Sequence, residues 1–362
     1  MKIIMKKASF NKIRLLGLSL FLSLSLLHAQ TEKRTINKSF PIAADGKVSI
    51  DNSYGNVKLN NWDKNEVVIE VEIKVKANNQ ERAIEALEDI EINFAVSESA
   101  IDVTTLLPED KKSWWSNWSF FGANQLDYSI NYLVQMPKTV QLAIDNDYGN
   151  IYLDETDGAT QLNCAYGRIE VGRLNHKQNN IDLAYAPNSE IDYVNSARIE
   201  ADYSGLNIAE AEEIDYDADY SKSTFGRIAV LNFEADYGSL SLNEVNTLIG
   251  EADYLTIKVG NLNTKLDLSM DYGSVKVEHI EASTQLLNIN ADYSGVKLGA
   301  DPAWDFTYEI KTEYAGFKSD FPLEHKKKII EGTERYYEGK HLNGTNQLNL
   351  NTEYGSIKLI QN

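Results

Sequence analysis

The sequence predicts an all-β protein, a parallel β-solenoid (β-helix-like) of about 18-residue coils with an N-terminal α+β cap. Three observations predict it. A phrase of acid, tyrosine and small residue recurs, as "EADYGSLSL" at Glu234–Leu242, "MDYGSVKV" from Met270, "ADYSGVKL" from Ala291, "NDYGNIYL" from Asn146 and "TEYGSIKL" from Thr352. Its tyrosines keep a nearly constant spacing, and the residues around each one alternate apolar and polar as half-buried strands do.

The spacing fixes the repeat. Tyr148, Tyr166, Tyr185, Tyr203, Tyr220, Tyr237, Tyr254, Tyr272, Tyr293 and Tyr314 are separated by 18, 19, 18, 17, 17, 17, 18, 21 and 21 residues, and Tyr354 follows after 40 more. Leu231, Phe233, Ala235 and Tyr237 share one parity, and Leu240 and Leu242 resume it after Gly238; Leu266, Leu268, Met270 and Tyr272 repeat the pattern before Val275 and Val277. This parity places the tyrosines inside, stacked ring over ring at a corner of the core about 4.8 Å apart. A small residue follows almost every tyrosine: Gly149, Gly167, Gly238, Gly273 and Gly355, or Ser204, Ser221, Ser294, Ala186 and Ala315, with Leu255 the departure. It marks a corner where backbone freedom and close approach of the next coil are both expected.

Three segments are expected. Residues 1–29 read as a secretory signal peptide: Lys2, Lys6, Lys7, Lys12 and Arg14 precede an apolar run, Leu15 to Leu27, and cleavage is expected after Ala29. Residues 30–140 form a cap region with a strand at Val67–Val75, a short helix at Asn79–Ile90 whose Ala83, Ile84, Leu87 and Ile90 share one side, a further strand at Asp127–Pro137 and an aromatic-rich insertion. One early copy of the phrase, "NSYGNVKL" from Asn52, ties this region to the same scheme. Residues 141–362 are the repeat region, interrupted by an insertion at about 318–345 before the last coil closes the chain.

Composition narrows the chemistry. The net charge is −19, and loss of residues 1–29 removes five basic groups and no acidic ones, leaving 30 − 54 = −24. Such a surface repels nucleic acid and anionic lipid and favours cations or basic partners. No stretch approaches the roughly 20 apolar residues of a membrane helix, so no transmembrane segment is expected. Cys164, alone, forms no intramolecular disulfide, lies far from the cleavage point where a lipid would be attached, and occupies the slot held by Ala235, Ala252, Met270 and Ala291 elsewhere; it reads as a small core residue.

Two features are candidate sites. Asp202, Asp219, Asp236, Asp253, Asp271 and Asp292 precede repeat tyrosines and form an outward acidic row about 5 Å apart, where like charges repel by roughly 1 kcal/mol in a water-like dielectric. The row is either a solvated face or a metal site, with Ca2+ the cofactor its oxygens suit. The second, "SWWSNWSFFG", gathers Trp114, Trp115, Trp118, Phe120 and Phe121 as a partner-contact patch or as a plug for the core end. Catalytic signals are sparse: His176, His279, His325 and His341 lack metal-ligand spacing, and no nucleophile elbow, phosphate loop or dinucleotide fingerprint has a supporting context. A local aspartate group, Asp215, Asp217 and Asp219, is the one place a carbohydrate-active β-helix enzyme would find an acid and a base.

The phrases "DNSYGNVKL", "DNDYGNIYL" and "ADYGSLSL" resemble those of a family of exported bacterial proteins known as "putative adhesins", over roughly Ser39 to Asn362. That resemblance implies a β-strand-repeat domain of otherwise unknown function and supplies no catalytic residues. The expectation is an exported, non-catalytic, adhesin-like binding or structural module of the cell envelope, periplasmic, outer-membrane-associated or extracellular, whose partner is an envelope protein or glycan. The alternatives are the carbohydrate-active enzyme and a calcium-stabilised structural protein.

Overall fold

A computed structural model describes residues 30–107 and 126–362. The expected signal peptide, residues 1–29, lies outside them. The described residues are all-β: strand accounts for 73% of them and helix for 3%, and their 24 strands hydrogen-bond into one sheet.

Each repeat contributes a strand before its tyrosine and another after it, and both pair in parallel with the equivalent strands of the neighbouring repeats. Before the tyrosine, Ile144 lies opposite Leu162, Leu162 opposite Ile181, and Ile181 opposite Ile199. After it, Ile151 lies opposite Ile169, Ile257 opposite Val275, and Val275 opposite Val296. In-register parallel pairing puts like residues over like, so a strand's inward positions build continuous aliphatic columns. Ile144, Leu162, Ile181 and Ile199 are all buried, as are Leu231, Phe233, Ala235, Leu240, Leu242, Leu266, Leu268, Met270, Val275 and Val277.

The tyrosines break this parity. Eleven of the repeat tyrosines are 39–55% exposed, and the twelve including Tyr54 have φ between +48° and +65°. The left-handed residue shifts the alternation by one position: Asp219 and Tyr220 both face solvent, and Ser221 points inward again. Strict period-two reading placed Tyr237 with Phe233 and Ala235 because it carries no left-handed residue. The corner glycines are therefore needed for proximity and not for φ. A Cβ on Gly149 would lie 1.8 Å from the carbonyl oxygen of Gly55, and one on Gly167 would lie 1.9 Å from that of Gly149.

Antiparallel strands lie at both ends of the parallel stack. At one end Gln30–Pro41 pairs with Glu66–Ala77, which pairs with Asp127–Met136; the helix Gln80–Glu88 packs on the first two. Asn79 caps that helix, its side chain accepting from the Arg82 N–H, and Ala83 and Ala86 face the core while Ile84 is exposed, in contrast to the face expected. At the other end Glu334–His341 pairs antiparallel with both Phe306–Glu313 and Glu324–Glu331. The lysines of "HKKKII" lie on this outermost strand, where charge discourages further edge pairing.

Chain order and spatial order diverge here. The final repeat strand, Asn346–Glu353, pairs with Leu286–Asp292 on one side and Phe306–Glu313 on the other. The last coil is thus inserted between the two before it and does not end the stack, because the Phe306–Glu313 edge is already occupied by the hairpin.

Candidate functional site

Twelve tyrosine rings form one external ladder. In spatial order they are Tyr54, Tyr148, Tyr166, Tyr185, Tyr203, Tyr220, Tyr237, Tyr254, Tyr272, Tyr293, Tyr354 and Tyr314, with ring centroids 4.7–5.2 Å apart and interplanar angles of 2–11°. The left-handed conformation is held by backbone bonds: Tyr203 N–H donates to the Asp219 carbonyl and Tyr220 N–H to that of Asp236, each at 2.9 Å. A bulky residue in that region costs on the order of 1 kcal/mol or more, and each stacked contact returns about 0.5–1.5 kcal/mol. The two are of the same size, so a tyrosine is tolerated at every corner only because its neighbours carry tyrosines too.

Stacking decides what the ladder can offer. The ring faces are covered by each other, which leaves edges and hydroxyls for a partner. A sugar face or an ammonium group needs the open ring face, so neither finds its usual platform along the rail. The hydroxyls of Tyr148, Tyr203, Tyr237, Tyr272 and Tyr354 are raised above the ordinary phenol value by desolvation first, then by adjacent phenols and carboxylates. They remain protonated at neutral pH, a periodic row of hydrogen-bond donors and acceptors.

The acidic row lies beside the ladder. Asp202 is opposite Asp219, Asp219 opposite Asp236, Asp271 opposite Asp292, and Glu353 opposite Glu313. Two carboxylates bind the next repeat's backbone: Asp236 Oδ1 accepts from the Asp253 N–H at 3.2 Å, and Asp292 Oδ1 from that of Glu353 at 3.0 Å. Among the described residues no three His, Cys, Asp or Glu side chains converge as a metal-binding group. From Asp202 onward the row delivers one carboxylate per rung along a line.

Its electrostatics give a prediction. Burial first, and then Asp202, Asp236 and Asp217, hold the Asp219 carboxyl above its ordinary 3.8. A raised acid binds its proton more readily in the folded state, so ionisation subtracts stability at neutral pH, and the loss is relieved as pH falls through the window just above 3.8. Asp267 has the opposite sign: hydrogen bonds from Asn288 and Lys265 lower it, so its contribution is present above 3.8 and is lost as pH falls below. Asp219→Asn is expected to raise Tm at pH 7 and to lose that advantage near pH 3.8, whereas Asp267→Asn lowers Tm at pH 7; thermal unfolding at the two pH values checks both.

The remaining candidates separate clearly. Asp215, Asp217 and Asp219 all point outward from one strand, and Asp215 Oδ1 accepts from Asn232 at 2.9 Å. Cys164 is buried, and burial pushes its thiol up to about 12, which removes the thiolate a nucleophile needs. Trp114, Trp115, Trp118, Phe120 and Phe121 lie outside the described residues. An open cavity of about 560 Å³ that the sequence did not signal is lined by Tyr308, Glu324, His325 and Lys340. There the Tyr308 hydroxyl is 2.7 Å from His325 Nδ1. The exposed ladder was missed although its signal is in the text: two adjacent polar-edged residues, "DY", at every corner.

No family model matches the chain, and no curated protein matches it. Among solved structures, it is similar to a "putative adhesin" from Parabacteroides merdae, with 14% identity, 67% of this chain and 96% of that chain covered and a TM-score of 0.38. A "putative adhesin" from Parabacteroides distasonis gives 9% identity, coverage of 91% and 97% and a TM-score of 0.31. A "putative cell adhesion protein" from Clostridium sporogenes gives 12% identity, coverage of 91% and 100% and a TM-score of 0.19. The names agree with the family that the repeat phrases resemble, but likenesses at these TM-scores carry no functional weight.

Proposed function

We propose that this chain is an exported, non-catalytic module of the cell envelope, a parallel β-solenoid that attaches weakly at many equivalent points. The observation that carries this reading is the ladder: twelve identical rungs expose the same hydroxyl edge and, at most rungs, the same carboxylate over roughly 50 Å. A line of equal, shallow contacts gains strength through multivalency, whereas a single reaction needs a local, unequal site. In-register parallel pairs support the solenoid, and the antiparallel strands at each end support caps that stop one stack from adding to another. Among the described residues no helix is long and apolar enough to cross a membrane.

Beads coated with the protein at graded density, placed on glass carrying the polysaccharide fraction of a bacterial envelope, test the reading. Attachment should climb more steeply than coating density, and Tyr203→Phe, Tyr220→Phe, Tyr237→Phe and Tyr254→Phe in one chain should reduce it at least fivefold while leaving Tm within about 2 °C. Release of reducing ends from that polysaccharide, abolished by Asp217→Asn or Asp219→Asn, would replace it with the enzyme reading.

A further inference from the structure

Beyond the ladder, the opposite side of the same corner carries a feature that the overall charge conceals. Four residues after the tyrosine, five successive repeats place a lysine. Lys258 lies opposite Lys276, Lys276 opposite Lys297, Lys297 opposite Lys358, and Lys358 opposite Lys318. In-register parallel pairing stacks these ammonium groups at about the 4.8 Å strand spacing on one outer face. Four of the five are exposed, and among the described residues Lys276 alone of the five has a carboxylate within 4 Å, that of Glu278. In a chain of net charge −19, five lysines aligned without alternating acids run against the local electrostatics.

A second observation is independent of charge. Two positions nearer the corner, the same repeats carry Thr256, Ser274, Gly295, Ser356 and Gly316. Gly295 and Gly316 are the first residues of their strands, beside the corner; neither has a positive φ, and a Cβ added to either meets nothing within 4 Å. Glycine at a strand's first residue leaves that position without a side chain, which lets a ligand or another backbone approach closely. Neither backbone angle nor crowding demands glycine at these two places, and the flank is open to approach from outside.

We propose that this lysine rail, with its low flank at Gly295 and Gly316, binds a linear anionic polysaccharide that carries a carboxylate on each sugar. Such a chain lies along the rail, one carboxylate to each rung or nearly so, with its sugar edge against the flank that lacks side chains. The acidic ladder across the corner selects for a narrow polymer. A broad anionic surface would face Asp271, Asp292 and Glu353 as well as the lysines, whereas a single chain laid on the rail meets the lysines alone. The contact uses none of the tyrosine hydroxyls and is separate from the attachment proposed above.

Isothermal titration of the purified protein with polygalacturonate tests this, with dextran, polyphosphate and phosphatidylglycerol vesicles in parallel. Polygalacturonate should bind in low salt and weaken as salt is raised. Lys276→Gln, Lys297→Gln and Lys358→Gln in one chain should lower affinity at least tenfold, and arginine at the same three positions should restore it to within about threefold, since charge is what is recognised. Gly295→Val with Gly316→Val should leave Tm unchanged or raise it while lowering affinity several-fold, which separates occupancy of the flank from folding. The four-tyrosine phenylalanine variant should bind normally. Absent binding of polygalacturonate, equal binding by the glutamine variant, or preference for vesicles or polyphosphate would each overturn the proposal.

Discussion

Replacing Tyr220 by valine is expected to destabilise the protein by about 3 kcal/mol, while Tyr220→Phe changes stability by less than about 0.5 kcal/mol. The reason is the φ of +52° at this position, in the middle of the ladder between Tyr203 and Tyr237. A β-branched side chain in the left-handed region adds strain of about 1–3 kcal/mol, and two stacked contacts worth about 0.5–1.5 kcal/mol each are lost. Phenylalanine keeps the ring and discards only an exposed hydroxyl. Tyr220→Gly separates the two contributions, since glycine accepts the backbone angle and forfeits the stack; it should fall between, at about 1–2 kcal/mol. Denaturant unfolding orders the three, and a valine variant as stable as the glycine one would show that the corner is not strained.

The second large effect lies one residue further on. Gly167→Ser should cost about 3 kcal/mol, because its Cβ would press on the Gly149 carbonyl oxygen and the two repeats must separate to admit it. Serine nevertheless fills the same corner at Ser204, Ser221 and Ser294. At those repeats the residue two before the tyrosine is Ala201, Ala218 or Ala291, and the hydroxyl bridges coils: Ser221 Oγ donates to the Ala201 carbonyl at 2.7 Å and accepts from the Ser204 N–H at 2.9 Å. At glycine corners that earlier residue is larger and fills the space, with Asn146 Nδ2, Cys164 Sγ and Met270 Cε lying 3.1, 3.2 and 2.7 Å from where the corner Cβ would stand. Gly238, paired with Ala235, is the exception. Corner and earlier position therefore share one volume. Cys164→Ala combined with Gly167→Ser should recover part of the single-site loss, the part owed to the sulfur, with a coupling of about 1–2 kcal/mol in a double-mutant cycle. Strict additivity would refute the shared volume.

Much of this architecture was legible in the sequence. The 17- to 21-residue tyrosine spacing gave the repeat, and the alternation of Leu231, Phe233 and Ala235 gave the buried face, because pleat geometry imposes period two on any half-buried strand. The outward position of the acids from Asp202 to Asp292 was also readable. The side to which the tyrosines point was not. Parity can be extrapolated only along an unbroken pleat, and one residue at positive φ in each repeat breaks it. The lysine rail was legible in part: the phrases from Met270, Ala291 and Thr352 each carry a lysine four residues after the tyrosine, but only the pairing shows that these lysines and Lys318 stand side by side.

What the sequence by itself determined is the local rule, namely which residues alternate, where each coil turns and how long it is, since these depend on neighbours within a few positions. The tertiary structure alone decided the order of the coils. Tyr354 stacks between Tyr293 and Tyr314, although Tyr314 precedes it in the chain. A parallel edge accepts any strand whose register and side chains fit, so the place beside Leu286–Asp292 could be filled by either of two repeats that share the "TEY" corner. The hairpin Glu324–His341 settled the choice by occupying the far edge of Phe306–Glu313, and the last repeat took the place that remained.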